Sequence, residues 1–194
     1  MPQDQEREFW IRRLESVGKA QARYLWLLLI VGLFYAALYA RGPLQSIKVP
    51  IIGIELEGGT VLASGGPIIA FLVLVIIGAI RAWTHALEQI RGSKPAKDAE
   101  QLDTHPNAID LAIYTTDQSP SWIRKVTYFA YPAFLIAALA ESVVFGCWLW
   151  RTPTVPGRLM FLTAELLTWL PAAVLVIGMV VQRMKQLPER NSAA

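Results

Sequence analysis

Residues 61–83 read VLASGGPIIAFLVLVIIGAIRAW, and no charged residue interrupts this run before Arg81. A helix of about 20 such residues crosses the ~30 Å hydrocarbon core of a bilayer. Residues 24–40, 126–150 and 159–181 meet the same test, and their only charges are Glu141 and Glu165. A water-soluble helix would carry charges along one whole face. The four runs therefore predict an all-α membrane protein with four transmembrane helices.

The bulk composition agrees with this interpretation. Of the 194 residues, 54% are hydrophobic and 17% are charged, whereas a soluble domain has about 25% charged residues. The length suits a single membrane domain. The single cysteine, Cys147, lies in an apolar run and is expected to pack as a small apolar side chain. Residues 1–23 are polar, so no cleavable signal peptide is expected and the first span should remain in the protein.

Lysine and arginine residues predict the orientation. They are concentrated in the N-terminal segment, the middle loop and the tail, whereas the two remaining loops carry two each. Because basic loops stay in the cytoplasm, both termini and the middle loop are predicted to be cytoplasmic. The predicted order is a cytoplasmic or interfacial helix at 1–23, spans at 24–40, 61–83, 126–150 and 159–181, outer loops at 41–60 and 151–158, a cytoplasmic loop at 84–125 and a cytoplasmic tail at 182–194. The net charge of +3 needs no nucleic-acid partner, because basic flanks face anionic lipid headgroups.

The N-terminal segment predicts an amphipathic helix over residues 3–22. Phe9, Trp10, Leu14 and Val17 recur near helical spacing, and charges occupy the other side. Two arrangements stay open. The helix either lies along the interface before turning into the first span, or it extends that span into the cytoplasm.

The loop at residues 41–60 has a pattern of its own. β-branched residues surround Pro50 and Gly53, which predicts a short extended segment or hairpin. The sequence Ser64-Gly65-Gly66-Pro67 follows. Proline suits the first turn of a helix, so the second helix is expected to begin nearer Gly66 than residue 61. The two glycines are interpreted as a close-packing or entry-turn device.

Glu141 and Glu165 are the candidate functional residues. Glu141 lies nine residues before Trp150, and Glu165 lies seven residues after Arg158. At about 1.5 Å per residue, both sit roughly 10–14 Å below the outer helix ends. If the third and fourth helices form an antiparallel hairpin, the two carboxyl groups lie at similar depth. The sequence gives this depth and leaves their direction around the helix open.

Three interpretations of this pair remain. The two acids share a proton or bind a cation on a transport path, because charged groups within a bilayer are costly and usually functional. Alternatively, nearby donors satisfy each acid and the pair serves helix packing. In the third interpretation, one or both carboxyl groups are protonated and donate hydrogen bonds between helices. The donors considered are Ser142, Thr163, Thr168, Tyr35, Tyr39 and an arginine of the outer leaflet.

The sequence offers no motif for cofactor or metal chemistry. None of the four spans contains a histidine, so a haem held between axial histidines is not expected. Asp103, His105 and Asp110 match no metal-ligand spacing and are interpreted as a solvated loop. There is no phosphate-binding loop, nucleophile elbow, HExxH or CxxC motif. We expect no cofactor, no metal and no catalytic residues.

The stretch Val49-Pro50-Ile51-Ile52-Gly53-Ile54, continued through Pro67 and the second span, carries a resemblance. It is similar to the N-terminal membrane region of bacterial proteins in which pentapeptide repeats follow a small helical membrane unit. The resemblance implies a proline-containing outer segment, a proline-initiated second span and a second pair of spans after a cytoplasmic loop. It covers about the first half of the chain, and this sequence has no pentapeptide repeats. It implies topology and a bacterial origin, without any activity or site residues.

Three functions follow as hypotheses. The first is a scaffold or accessory subunit that associates with itself or with a membrane partner, since Ala133, Ala137, Ala140 and Gly146 suit close helix packing. The second is an oligomeric ion or proton channel or transporter that uses Glu141 and Glu165. The third and least favoured is an enzyme acting on lipid through Glu55 or Glu57, because no base–nucleophile arrangement accompanies these acids.

Overall fold

The computed structural model describes residues 3–42, 46–49, 54–92 and 121–192. Its elements are helix α1 (Gln3–Arg41), strands β1 (Ser46–Val49) and β2 (Ile54–Glu57), and helices α2 (Gly58–Ala63), α3 (Gly65–Gly92), α4 (Ser121–Arg151) and α5 (Arg158–Ser192). The architecture is therefore helical, with one small antiparallel hairpin. Most of the middle loop predicted at residues 84–125 lies outside the described residues.

The described residues contain four helical stretches that are long and apolar enough to cross a membrane. They are Glu8–Arg41, Gly58–Ala86, Ala130–Arg151 and Arg158–Val181. Each includes nearly all of one predicted apolar run. The prediction of four membrane-spanning helices is confirmed, and the chain has the architecture of a multi-pass membrane protein.

Helix α1 runs without a break through 39 residues. It is longer than the roughly 20 residues that a membrane span needs. Of the two arrangements left open for the N-terminal segment, the structure has the extension of the first span. Gly18 lies within the helix and does not end it.

The loop between α1 and α2 contains the expected extended segment. Strands β1 and β2 pair antiparallel, with Ser46 opposite Glu57 and Val49 opposite Ile54. Helix α2 follows directly, and the turn at Ser64 separates it from α3. The main helix therefore begins near Gly66 as predicted. The sequence pattern did not predict the short helix α2 before it.

The chain divides into two compact units. The first draws on Met1–Trp26 and Val75–Tyr128, and its described core joins Leu14 to Ala86 beneath partly buried aromatic and aliphatic side chains. The second draws on Leu27–Leu74 and Phe129–Ala194 and contains both candidate carboxylates. This division leaves the single-domain prediction untested.

Helices α4 and α5 pack antiparallel within the second unit. Trp169 donates a hydrogen bond to the Leu139 carbonyl at 3.2 Å, whereas Leu149 packs with Phe161 farther along. The end of α4 thus contacts the start of α5, and earlier residues of α4 contact later residues of α5. The connection spans residues 152–157, where Gly157 has φ of 68°. Glycine adopts this left-handed conformation without the steric cost of a Cβ atom.

Candidate functional site

The Glu165 carboxyl group lies between two glycines of neighbouring helices. A Cβ atom built on Gly146 of α4 would lie 2.6 Å from Glu165 Oε1, and one built on Gly66 of α3 would lie 2.7 Å from Oε2. Real Cβ atoms do not approach other atoms so closely, so both positions require glycine while the carboxyl group stays there. Glu165 is only 8% exposed. We call this arrangement the glycine cradle.

Ser142 supplies the polar contact in the glycine cradle. Its hydroxyl group donates to the Gly66 carbonyl at 2.9 Å and lies 3.4 Å from Glu165 Oε1. A serine hydroxyl has one hydrogen to donate and can also accept. The shorter contact places that hydrogen on the Gly66 carbonyl. Ser142 therefore links α3, α4 and α5 at one point, and it offers Glu165 little more than an acceptor.

The second carboxyl oxygen of Glu165 is left without a partner. Oε2 is buried and makes no hydrogen bond. Of the donors that the sequence suggested, Thr163 and Thr168 bond to backbone carbonyls of their own helix instead. A buried polar atom without a partner costs about 1–3 kcal/mol. Protonation gives the carboxyl group a hydrogen on Oε1 to donate to the Ser142 oxygen, but Oε2 still has no hydrogen-bond partner among the described residues.

Glu141 occupies a different environment, against α1. A Cβ atom built on Gly32 would lie 3.0 Å from Glu141 Oε2, so this glycine admits the carboxyl group. Glu141 is partly exposed, yet its Oε1 atom is buried without a hydrogen-bond partner. The side chain lines an open groove of about 180 Å³ between α1 and α4. Apolar and small residues form the rest of this α1–α4 groove, among them Leu28, Gly32, Ala36, Phe134 and Ala137.

The two carboxylates lie at the same depth and contact different neighbours. Glu165 approaches Ser142, which follows Glu141 directly in α4. The antiparallel packing of α4 and α5 therefore produces the equal depth expected from the sequence. Successive helix residues point about 100° apart. Glu141 consequently lies against Gly32 of α1, while Ser142 and Gly146 lie against Glu165 of α5.

A tyrosine–serine pair joins α1 to the turn before α3. The Tyr35 hydroxyl group lies 2.7 Å from Ser64 Oγ, and Ser64 donates in turn to the Val61 carbonyl at 2.7 Å. A Cβ atom on Gly65 would lie 2.8 Å from the Tyr35 ring. The interpretation of Gly65-Gly66 as a close-packing device is confirmed, because one glycine admits Tyr35 and the other admits Glu165.

The stripe of small residues on α4 divides between two environments. Ala133, Ala137 and Ala140 are exposed, whereas Gly146 is partly buried against the Glu165 carboxyl group. Three alanines thus present small side chains outward for another helix to contact. Gly146 instead serves packing inside this unit.

The sequence analysis identified both acids but did not predict that glycines of neighbouring helices make room for their carboxyl groups. Gly32 lies nine residues before Arg41, just as Glu141 lies nine residues before Trp150. Gly66 lies at the depth of Glu165 because Ser142 bridges them. A glycine at the depth of each carboxylate could have predicted these contacts from the sequence. A hydropathy profile does not show it.

The described residues include no group of three His, Cys, Asp or Glu side chains that could hold a metal ion. Asp103, His105 and Asp110 lie outside the described residues. The two carboxylate sites therefore remain the candidates, and each offers a proton acceptor or hydrogen-bonding group in an apolar setting.

Comparison with known proteins finds no matching protein family, no matching curated protein and no matching solved structure. The resemblance to the membrane region of pentapeptide-repeat proteins therefore stays a prediction.

Proposed function

We propose that this chain is a small multi-pass protein of the bacterial inner membrane that acts as a scaffold or accessory subunit, through association with itself or with a partner protein. Both termini lie in the cytoplasm, in agreement with the distribution of lysine and arginine. The observation that carries the proposal is the exposed alanine face of α4, formed by Ala133, Ala137 and Ala140. Small residues on a lipid-facing helix let a second helix approach closely.

Association through this face is tested by cross-linking in native membranes and by native mass spectrometry after extraction. Ala140→Leu places a bulky side chain on the alanine face and is expected to reduce the associated fraction at least about fivefold. Ala37→Leu is the matched control, because Ala37 is exposed on α1 away from the groove and the substitution is the same. A strict monomer with no co-purifying protein refutes the proposal.

The second candidate is an oligomeric ion or proton channel or transporter that uses Glu141 and Glu165. The observation in its favour is that each carboxyl group keeps one buried oxygen without a hydrogen-bond partner. Ionisable groups at this depth often belong to ion pathways. The test replaces each residue with glutamine and measures ion and proton flux into liposomes. An unchanged flux, or no flux in the parent protein, rejects this function.

A further inference from the structure

We propose that the α1–α4 groove receives a transmembrane helix of a different protein, and that a lysine or arginine of that helix pairs with Glu141 within the bilayer. This inference rests on the proposed association function and names the surface and the partner. It concerns the groove next to Gly32 and Ala137.

The groove has the size for side chains of a neighbouring helix. Its volume is about 180 Å³, and a cavity of about 150 Å³ holds a benzene molecule. One or two inserted side chains therefore fill it while the second helix lies alongside. Ala36 and Ala137 on its walls are exposed and small, so they let that helix come close.

Glu141 sets the chemistry of the occupant. Glu141 is the one charged residue that lines this otherwise apolar groove, and its Oε1 atom has no hydrogen-bond partner among the described residues. The terminal torsion of glutamate is broad, so either oxygen can turn toward an incoming donor. A basic residue within a bilayer is costly by itself. Pairing it with Glu141 offsets part of that cost for both proteins.

A second copy of this chain is a poor occupant because its described spans offer no cation at the depth of Glu141. Five described donors near this depth bond within the chain, namely Tyr35, Ser142, Thr163, Thr168 and Trp169, and Tyr39 lies seven residues, about 10 Å, beyond Gly32. Arg151 lies ten residues beyond Glu141, or about 15 Å along the helix axis. No lysine or arginine of the described spans lies at the depth of Glu141. A cation at that level must come from another protein.

The experiment uses the full chain in phosphatidylcholine–phosphatidylglycerol vesicles, with a fluorescent donor on the exposed cysteine Cys147. The probes are two synthetic leucine–alanine transmembrane peptides labelled with an acceptor. One has lysine at its centre and the other has leucine. We expect the lysine peptide to bind the parent chain at least about tenfold more tightly than the leucine peptide. Glu141→Gln should abolish this preference.

Two further variants keep the test decisive. Glu165→Gln changes the other carboxyl group at the same depth, outside the groove, and should retain the preference for lysine. Ala137→Leu fills the groove and should weaken binding of the lysine peptide at least about fivefold while the Glu141 carboxyl group is retained. If a glutamine variant fails to fold, the comparison of the two peptides on the parent chain and the Ala137→Leu variant still test the inference.

Three results overturn the inference. These are equal binding of the two peptides by the parent chain, a lysine preference that survives Glu141→Gln, and self-association without peptide that Glu141→Gln abolishes. The last result assigns the groove to a second copy. The proposed function fails if the chain is a strict monomer in native membranes with no co-purifying protein. If only the present inference fails, cross-linking through the alanine face at Ala140 is unchanged.

Discussion

Gly146→Ala tests the glycine cradle most directly. The added Cβ atom would lie 2.6 Å from Glu165 Oε1 and 2.7 Å from Oε2. Non-bonded contacts are most favourable at about 3.5–4.0 Å, so the carboxyl group must withdraw by roughly 0.8 Å. Gly66 lies against the same carboxyl group, where a Cβ position would be 2.7 Å from Oε2. The carboxyl group is the end of a flexible side chain, so its withdrawal is the first response to the new Cβ atom.

The expected magnitude combines two opposing effects. Overpacking a tight interior costs about 1–3 kcal/mol. Alanine in place of glycine inside a helix returns about 0.8–1 kcal/mol. The difference between the two effects is about 0–2 kcal/mol, so we expect Gly146→Ala to lower the free energy of unfolding by up to about 2 kcal/mol. In a Glu165→Ala background the clash is absent, so the same substitution should raise that free energy.

The assay is reversible unfolding in mixed micelles by titration with sodium dodecyl sulfate, followed by far-UV circular dichroism. Gly178→Ala is the matched control, because a Cβ atom on Gly178 of α5 meets nothing within 4 Å. The control should be neutral or stabilising. Equal stability of the Gly146 and Gly178 variants refutes the reasoning. So does an unchanged penalty when Glu165 is already alanine.

Three other predictions concern separate contacts. Tyr35→Phe removes the 2.7 Å contact with Ser64 Oγ and should lower the free energy of unfolding by about 0.5–1.5 kcal/mol; unchanged stability in the same titration contradicts this. A lipophilic carbodiimide should modify Glu141 in preference to Glu165, because only Glu141 lines an open groove and Glu165 is 8% exposed. Peptide mass spectrometry reads out this labelling, and equal labelling of the two acids contradicts the arrangement of the groove. Leu14→Ala should cost about 2–5 kcal/mol, because Leu14 is 2% exposed; a loss below about 1 kcal/mol indicates that the α1 extension packs loosely.

The spans were predictable because hydrocarbon imposes a length and a composition. Residues 61–83 meet both conditions, and the structure has a helical stretch at Gly58–Ala86. Orientation in the membrane depends on lysine and arginine and stays a prediction. The helix ends were less predictable, because α3 continues to Gly92 beyond its apolar run. Charged residues continue a helix as readily as apolar ones. Hydropathy therefore predicts where the apolar run ends and does not predict where the helix ends.

The depth of the two carboxylates was predictable, and their direction was not. Depth follows from counting residues at about 1.5 Å each. Direction depends on which face of α4 meets α1 and which meets α5, and the apolar composition of α4 is nearly uniform around its axis. Because α4 has no polar face, the packing of individual small side chains determines its rotation about its own axis. Gly32 and Gly146 lie at these contacts.

The same physical requirement thus produces two different sites. A carboxyl group inside hydrocarbon needs room between helices, and a glycine on the adjoining helix provides it. Glu165 has two glycines against its carboxyl group, Gly66 and Gly146, and it is only 8% exposed. Glu141 has Gly32 on one side and the open groove on the other. A polar group that only served internal packing would gain from being enclosed like Glu165. The open position of Glu141 is therefore the one that favours contact with a molecule from outside the chain.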